Sequence, residues 1–219
     1  MIPYTHIVWD FNGTLYDDVE ACIQSANRLL GAHELPPFSS VEAYRERFGF
    51  PIIDYYRRMG FDFEKTPYDD LAVEWVGYYM EASRTSPLCA GAVETLEWIR
   101  ARGVRQILLS ATERGMLREQ VEMLAIGRYF DELIGQDSIH AYGKSELGCA
   151  WRREHPTARV LLVGDTEHDA EVAQKMGADY ALVSFGHRPK EALEGLGART
   201  VAESHEMLLK WLETACKVD

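Results

Sequence analysis

His6-Ile7-Val8-Trp9-Asp10-Phe11-Asn12-Gly13-Thr14-Leu15-Tyr16-Asp17 opens with a short apolar run, Ile7 to Trp9. The run is too short for a core helix and reads as a buried parallel strand. Asp10 falls where that strand ends, and Gly13 suits a tight turn or close approach of a ligand to the backbone. In an open parallel sheet, ligands bind outside the carboxyl ends of the strands. A carboxylate there is a candidate for chemistry; the alternative is an Asx turn that caps the strand end.

The remaining patterns say what sheet this strand joins. Val19, Cys22, Ile23, Ala26, Leu29 and Leu30 recur at three and four, which predicts a helix stopped by Gly31. Pro36-Pro37 interrupts, and Ser39 with Glu42 reads as a capping box for a short helix through Tyr44. Residues 48–51 read as a loop and 52–59 as a helix ended by Gly60. Residues 68–84 form another helix, carrying Leu71, Trp75, Val76 and Tyr79. No strand pattern occurs between Asp17 and Ser86. Beyond a hinge at 87–91, helix and strand patterns alternate. Strands are expected over 104–109, 132–134, 159–163 and 180–183. Helices are expected over 92–102, 115–125, 144–154 and 170–176, with a last helix capped by Ser204. Such alternation implies a parallel sheet with helices on both faces. The expected architecture is a Rossmann-like α/β core, residues 1–16 and 87–219, with an all-helical cap inserted over 17–86.

Composition narrows the function classes. The net charge of −12 argues against nucleic acid or an anionic membrane as partner. An anionic substrate would then need local positive charge from a metal, a lysine or helix N-termini. Cys22, Cys89, Cys149 and Cys216 show no paired spacing and read as reduced thiols of a cytoplasmic protein. No signal-like or bilayer-spanning apolar run is seen.

Three further segments accompany the first. Ile107-Leu108-Leu109-Ser110-Ala111-Thr112 is an apolar strand ending in a hydroxyl. Lys144 is the only lysine between Lys65 and Lys175. Leu161-Leu162-Val163-Gly164-Asp165-Thr166-Glu167-His168-Asp169 is a strand followed by Gly-Asp-x-x-x-Asp. Together with Asp10-Phe11-Asn12-Gly13-Thr14, these resemble, in order, the four motifs of the haloacid dehalogenase-like (HAD) hydrolases. The resemblance spans nearly the whole chain and is to the phosphoglycolate phosphatase-like branch with a helical cap.

The resemblance implies a Mg²⁺-dependent phosphohydrolase of a small phosphorylated metabolite. Asp10 would be the nucleophile. Asp10, the backbone carbonyl of Asn12 and Asp165 would hold the metal, with Asp169 a water-mediated partner. Ser110 and the amides after it, from Ala111, would hold phosphoryl oxygens, and Lys144 would neutralise charge. For three of these residues a plainer reading stands beside the functional one. Asp165 could cap the next helix, Ser110 could cap a strand end, and Lys144 could be a solvated helix-start lysine.

Asn12 departs from the family pattern, which has there an Asp that serves as general acid and base. An amide donates a hydrogen bond but cannot transfer a proton near neutral pH. Activity is therefore expected to be slow or selective for good leaving groups. The rivals are a non-phosphatase HAD reaction and a catalytically silent binder of a phosphometabolite or partner. Ser145, where the family often has proline, is a smaller departure. Cap candidates for substrate contact are Arg45, Arg47, Phe50, Arg57 and Arg58, with His187 and Arg188 at the site's edge. Tyr55, Tyr56, Trp75 and Cys149 read as core, and His168 as exposed.

Overall fold

The computed structural model describes residues 2–139 and 143–216. Six parallel strands form one sheet: β1 (His6–Trp9), β2 (Arg105–Glu113), β3 (Glu132–Gln136), β4 (Val160–Gly164), β5 (Asp179–Val183) and β6 (Val201–Ala202). Their order is β3-β2-β1-β4-β5-β6. The chain therefore builds outward from β1 on one side, then crosses to β4 and builds outward on the other. That reversal puts a crevice at the ends of β1 and β4, where ligands bind in such sheets. Asp10 and Asp165 each follow one of those two strands.

The pleat sorts the strand residues between two cores. Ile7 and Trp9 pack with α5 (Ala92–Arg100), α6 (Arg114–Met123) and α10 (His205–Ala215). Val8, between them, packs on the opposite face with α7 (Ser145–Glu154), α8 (Glu167–Met176) and α9 (Lys190–Leu193). Both faces are buried, which is why the strands read as continuous apolar runs.

The insertion is helical, as expected: α1 (Val19–Ala32), α2 (Val41–Arg47), α3 (Ile52–Met59) and α4 (Tyr68–Ala82). Residues from Val19 to Tyr79 share an apolar cluster of their own, against which Met116 of α6 also packs. The two connections to the sheet lie side by side. Asp17 N–H donates to Pro87 carbonyl at 3.0 Å and Cys89 N–H to Leu15 carbonyl at 2.8 Å.

Several boundaries differ from the sequence reading. Ser40, not Ser39, caps α2, accepting from Ala43 N–H at 3.2 Å. The α1 helix runs through Gly31 to Ala32. The α8 helix starts three residues earlier than expected, at Glu167, because Asp169 folds back on the Thr166 N–H. The β2 strand runs on to Glu113 through an irregularity after Leu109, so Ser110 lies inside a strand, not at its end. The short α9 and β6 were not expected; neither has enough residues for a periodic signal.

Candidate active site

Asp10 is buried at the end of β1, its N–H donating to the Val163 carbonyl at 2.8 Å. One carboxylate oxygen touches the Lys144 ammonium and the other accepts from the Thr14 hydroxyl at 3.2 Å. Burial lifts Asp10 to about pKa 6, against the opposing pull of Lys144. Lys144 is the residue before α7 and is 2 % exposed, which excludes the solvated reading. Its ammonium also lies 2.7 Å from Asp169 Oδ1 and 3.2 Å from the Leu109 carbonyl. Burial opposes its charge, but Asp10 and Asp169 outweigh burial and keep it protonated.

Asp165 caps no helix; Thr166 holds that position. Its Oδ2 accepts from His187 N–H at 2.6 Å. Burial raises its pKa well above the carboxylate range; the Asp10 charge adds to this and His187 opposes it. Asp169 instead is held low: burial opposes ionisation, but Lys144 and the Thr166 hydroxyl, 2.7 Å away, prevail.

Asp10, Asp165 and Asp169 place carboxylate oxygens within 4.8 Å of one another. The backbone around them is shaped for close approach. A Cβ on Gly13, whose φ is +70°, would fall 2.3 Å from Asp165 Oδ2, and one on Gly186 2.2 Å from the same atom. Two crowded, buried carboxylates, Asp10 and Asp165, with one ammonium for Asp10, form an all-oxygen donor set that fits a hard divalent cation.

Asn12 is fixed from both ends. Its Nδ2 donates to Asp18 Oδ2 at 2.7 Å and to the Tyr79 hydroxyl at 2.8 Å. Its Oδ1 accepts from the Thr112 hydroxyl at 2.9 Å and is 3.5 Å from the Ser110 hydroxyl. The orientation follows from Asp18, which as a carboxylate only accepts. Asp18 is fully buried and also accepts from Gly13 N–H at 2.9 Å and the Tyr79 hydroxyl at 2.7 Å. Burial disfavours its charge, yet His187, Tyr79 and Asn12 together hold its pKa below the ordinary value. His187 answers it: burial lowers the imidazole, but Asp18, 3.4 Å from Nε2, raises it to about 9. Its Nδ1 meets the Tyr44 hydroxyl at 2.8 Å.

The sequence-derived residues separate into two groups. Asp10, Asn12, Ser110, Ala111, Lys144, Asp165, Asp169 and His187 line a single cavity of about 150 Å³. His187 is buried in it, not at its edge. Phe50 lines it too, stacked at 4.4 Å on His168, which is therefore covered and not exposed. Tyr55, Tyr56 and Trp75, read as core, belong to the lining as well.

The arginines do not reach it. Arg47 is exposed, 5.6 Å over the Phe38 ring. Arg45 donates to the Phe185 and Gly186 carbonyls, Arg57 to Asp54, and Arg58 to the Arg47 and Gly49 carbonyls. Arg188 pairs with Glu167 at 2.6 Å and donates to the Phe48 carbonyl at 2.9 Å. Arg45 and Arg188 thereby fasten the cap to the sheet. Cys149 is half-buried on α7.

Sequence reasoning missed Asp18, Tyr79 and Thr112. Asp18 resembled any acidic residue at a helix start, and Tyr79 any apolar position of α4. Only Thr112, two residues along the strand from Ser110, carried a signal.

Known proteins share this fold. A family model described as haloacid dehalogenase-like hydrolase matches residues 7–183. The phosphoglycolate phosphatase of Caulobacter vibrioides is 25% identical over 210 residues, covering 90% of this chain and 86% of that protein. The one from Pseudomonas fluorescens is 25% identical over 190 residues, covering 83% and 70%. A haloacid dehalogenase-like family hydrolase from Streptococcus pneumoniae shares the fold with a TM-score of 0.83 at 17% identity, covering 96% of this chain and 99% of that one. Protein Tyrosine Kinase A of Mycobacterium tuberculosis does so with a TM-score of 0.76 at 22% identity, covering 95% and 98%. The chain therefore belongs to the haloacid dehalogenase-like hydrolases, and within that enzyme family it is phosphoglycolate phosphatase-like.

Proposed function

We propose that the protein is a Mg²⁺-dependent phosphatase of a small phosphorylated metabolite, working through an aspartyl phosphate on Asp10. The observation that carries this reading is the buried contact of Asp10 with Lys144 beside a second carboxylate, Asp165, at the strand-order reversal. Asp10, Asp165 and the backbone carbonyl of Asn12 would hold the cation, which when bound supplies charge neutralisation at the phosphoryl group. Asp169 and Leu109 carbonyl position the Lys144 ammonium beside the nucleophile. A carboxylate oxygen of Asp10 attacks phosphorus in line, and the bond to the leaving oxygen breaks with its electron pair going to that oxygen. Water then attacks the acyl phosphate, releasing orthophosphate and restoring the Asp10 carboxylate. The hydroxyl of Ser110 and the amide of Ala111 are the proposed donors to the phosphoryl oxygens.

Asn12 gives the leaving oxygen no proton, and all its hydrogen-bonding capacity is taken by Asp18, Tyr79, Thr112 and Ser110. Turnover should thus favour leaving groups that depart without protonation. The cap is residues 17–86, a division supported by the separate apolar clusters. Among the described residues no helix is long and apolar enough to cross a membrane, and the four free thiols suit the cytoplasm. Neither nucleic acid nor membrane is expected as a partner.

The test is turnover of p-nitrophenyl phosphate by the full chain with Mg²⁺, followed by acid quench and peptide mass analysis for phosphate on Asp10. Activity in the wild type and none in Asp10→Asn is expected. Phosphate binding without turnover would instead make the protein a silent binder.

A further inference from the structure

Asp165 is held by a loop that comes from beyond β5. The loop leaves the sheet at Ser184, whose N–H still donates to the Ala202 carbonyl at 3.0 Å. Two residues on, its backbone lies against the carboxylate. His187 N–H donates to Asp165 Oδ2 at 2.6 Å. A Cβ on Gly186 would fall 2.2 Å from the same oxygen and 2.4 Å from the Gly13 carbonyl oxygen, so the contact has no slack. The orientation of the Asp165 carboxylate therefore depends on where residues 186 and 187 sit.

The cap grips the same loop. The Arg45 guanidinium, on α2, donates from Nε to the Gly186 carbonyl at 2.9 Å and from Nη2 to the Phe185 carbonyl at 2.7 Å. Arg188 returns the contact, donating to the Arg45 carbonyl at 2.5 Å and the Phe48 carbonyl at 2.9 Å. The Gly186 carbonyl and the His187 N–H are the two polar ends of one peptide group. That group is planar and rigid, so fixing its oxygen fixes the direction of its N–H. Arg45 thus holds one end of the unit whose other end holds Asp165. A planar guanidinium fixes two acceptors at once, and bonds from a charged donor are roughly twice as strong as neutral ones. A carbonyl that accepts such a bond also polarises its own N–H as a donor.

We infer that Arg45 is a positioning residue for the cation: through the peptide group of Gly186 and His187 it couples docking of the cap to the orientation of Asp165. This inference rests on the Mg²⁺ site proposed above. Without Arg45 the peptide group is free to turn or withdraw, and Asp165 meets the cation with no fixed orientation. Coupling is reciprocal, so a cation on Asp165 also favours the docked cap. Loss of a group that orients a metal ligand typically costs about 10–100-fold in affinity. Arg45 acts one bond further out, so a loss of at least about 5-fold is expected, the low end for coupled sites.

Calorimetric titration of the full chain with Mg²⁺, in the absence of substrate, is the test. Wild type should bind and Asp165→Asn should not. Arg45→Ala should bind at least about 5-fold more weakly. Arg45→Lys, which keeps the charge but not the fork, should fall between them. Removing a positive charge would by itself tighten cation binding, so the sign of the change separates positioning from electrostatics. Arg28→Ala, which removes a cap arginine paired with Glu81 at 2.7 Å, should not weaken binding. Amide hydrogen exchange without Mg²⁺ should be faster over residues 184–188 in Arg45→Ala than in wild type. Unchanged or tighter binding by Arg45→Ala overturns the inference, as does an equal loss in Arg28→Ala or wild-type exchange over 184–188. If Arg45→Ala does not fold, wild-type affinity in Arg45→Lys overturns it. A wild type that binds no Mg²⁺ would remove the metal reading and this inference with it, whereas binding that Arg45 does not affect would remove this inference alone.

Discussion

Asn12→Asp is the most informative perturbation, because the structure gives its cost. The new carboxylate would stand where Nδ2 now donates to Asp18. At 2.7 Å and an effective dielectric of about 20, two such charges repel by about 6 kcal/mol. The pair avoids this by binding one proton. Near pH 7.5 that costs about 5 kcal/mol, at about 1.4 kcal/mol for each pH unit above an ordinary carboxylate pKa. The shared-proton hydrogen bond returns about 1.5–3 kcal/mol. The variant should therefore be about 2–3.5 kcal/mol less stable than wild type near pH 7.5. The folded pair has a raised pKa, so its stability is present at low pH and lost as pH rises. The deficit should thus shrink towards zero around pH 5.

Denaturant unfolding of both proteins across that range is the assay, with intact mass to exclude deamidated Asn12 in the wild-type sample. The double variant Asn12→Asp/Asp18→Asn removes the like-charge contact and should lose the pH slope. The trapped proton also makes residue 12 a donor, so alkyl-ester turnover should rise by up to about 10²–10⁴. A stability difference under about 0.5 kcal/mol with no pH dependence would refute an ionised Asp18 beside residue 12.

Lys144→Ala should lower turnover at least about 10²-fold and destabilise the fold by about 3–5 kcal/mol, since it strands Asp10 and Asp169. Lys175→Ala, which removes only a solvent-exposed 3.3 Å hydrogen bond to the Ser145 hydroxyl, should change neither; equal effects of the two would remove Lys144 from the site. Chelation should abolish turnover, and Mg²⁺ at 100 times its Kd should stabilise the protein by about 2.7 kcal/mol. Thermal unfolding with Asp165→Asn, which should show no such shift, checks this. His205 is kept neutral because burial outweighs its hydrogen bond to the Thr14 carbonyl. Its unfolded form binds a proton below about pH 6.5, so stability should fall as pH drops, and His205→Gln should flatten that slope by up to about 1.4 kcal/mol per pH unit.

The sequence by itself determined the α/β architecture, because that rests on local periodicity: Ile7–Trp9 and Leu161–Val163 are buried on both faces and leave unbroken apolar runs. The positions of Asp10 and Asp165 followed from the same runs, since each is the polar residue at or just past a strand's end. Only the tertiary structure decided what surrounds them. Asp18 meets Asn12 across a turn, Tyr79 from another helix and His187 from beyond β5. None of those contacts has a fixed spacing in the chain, so no pattern announces them. The cap arginines illustrate the same point from the other side. Charge made them candidates, but backbone carbonyls and Asp54 already occupy Arg45, Arg57 and Arg58. Tyr55 and Tyr56, which read as core, do belong to the apolar cluster of the cap and also line the cavity, because an amphipathic face reads identically whether it packs on protein or on a ligand.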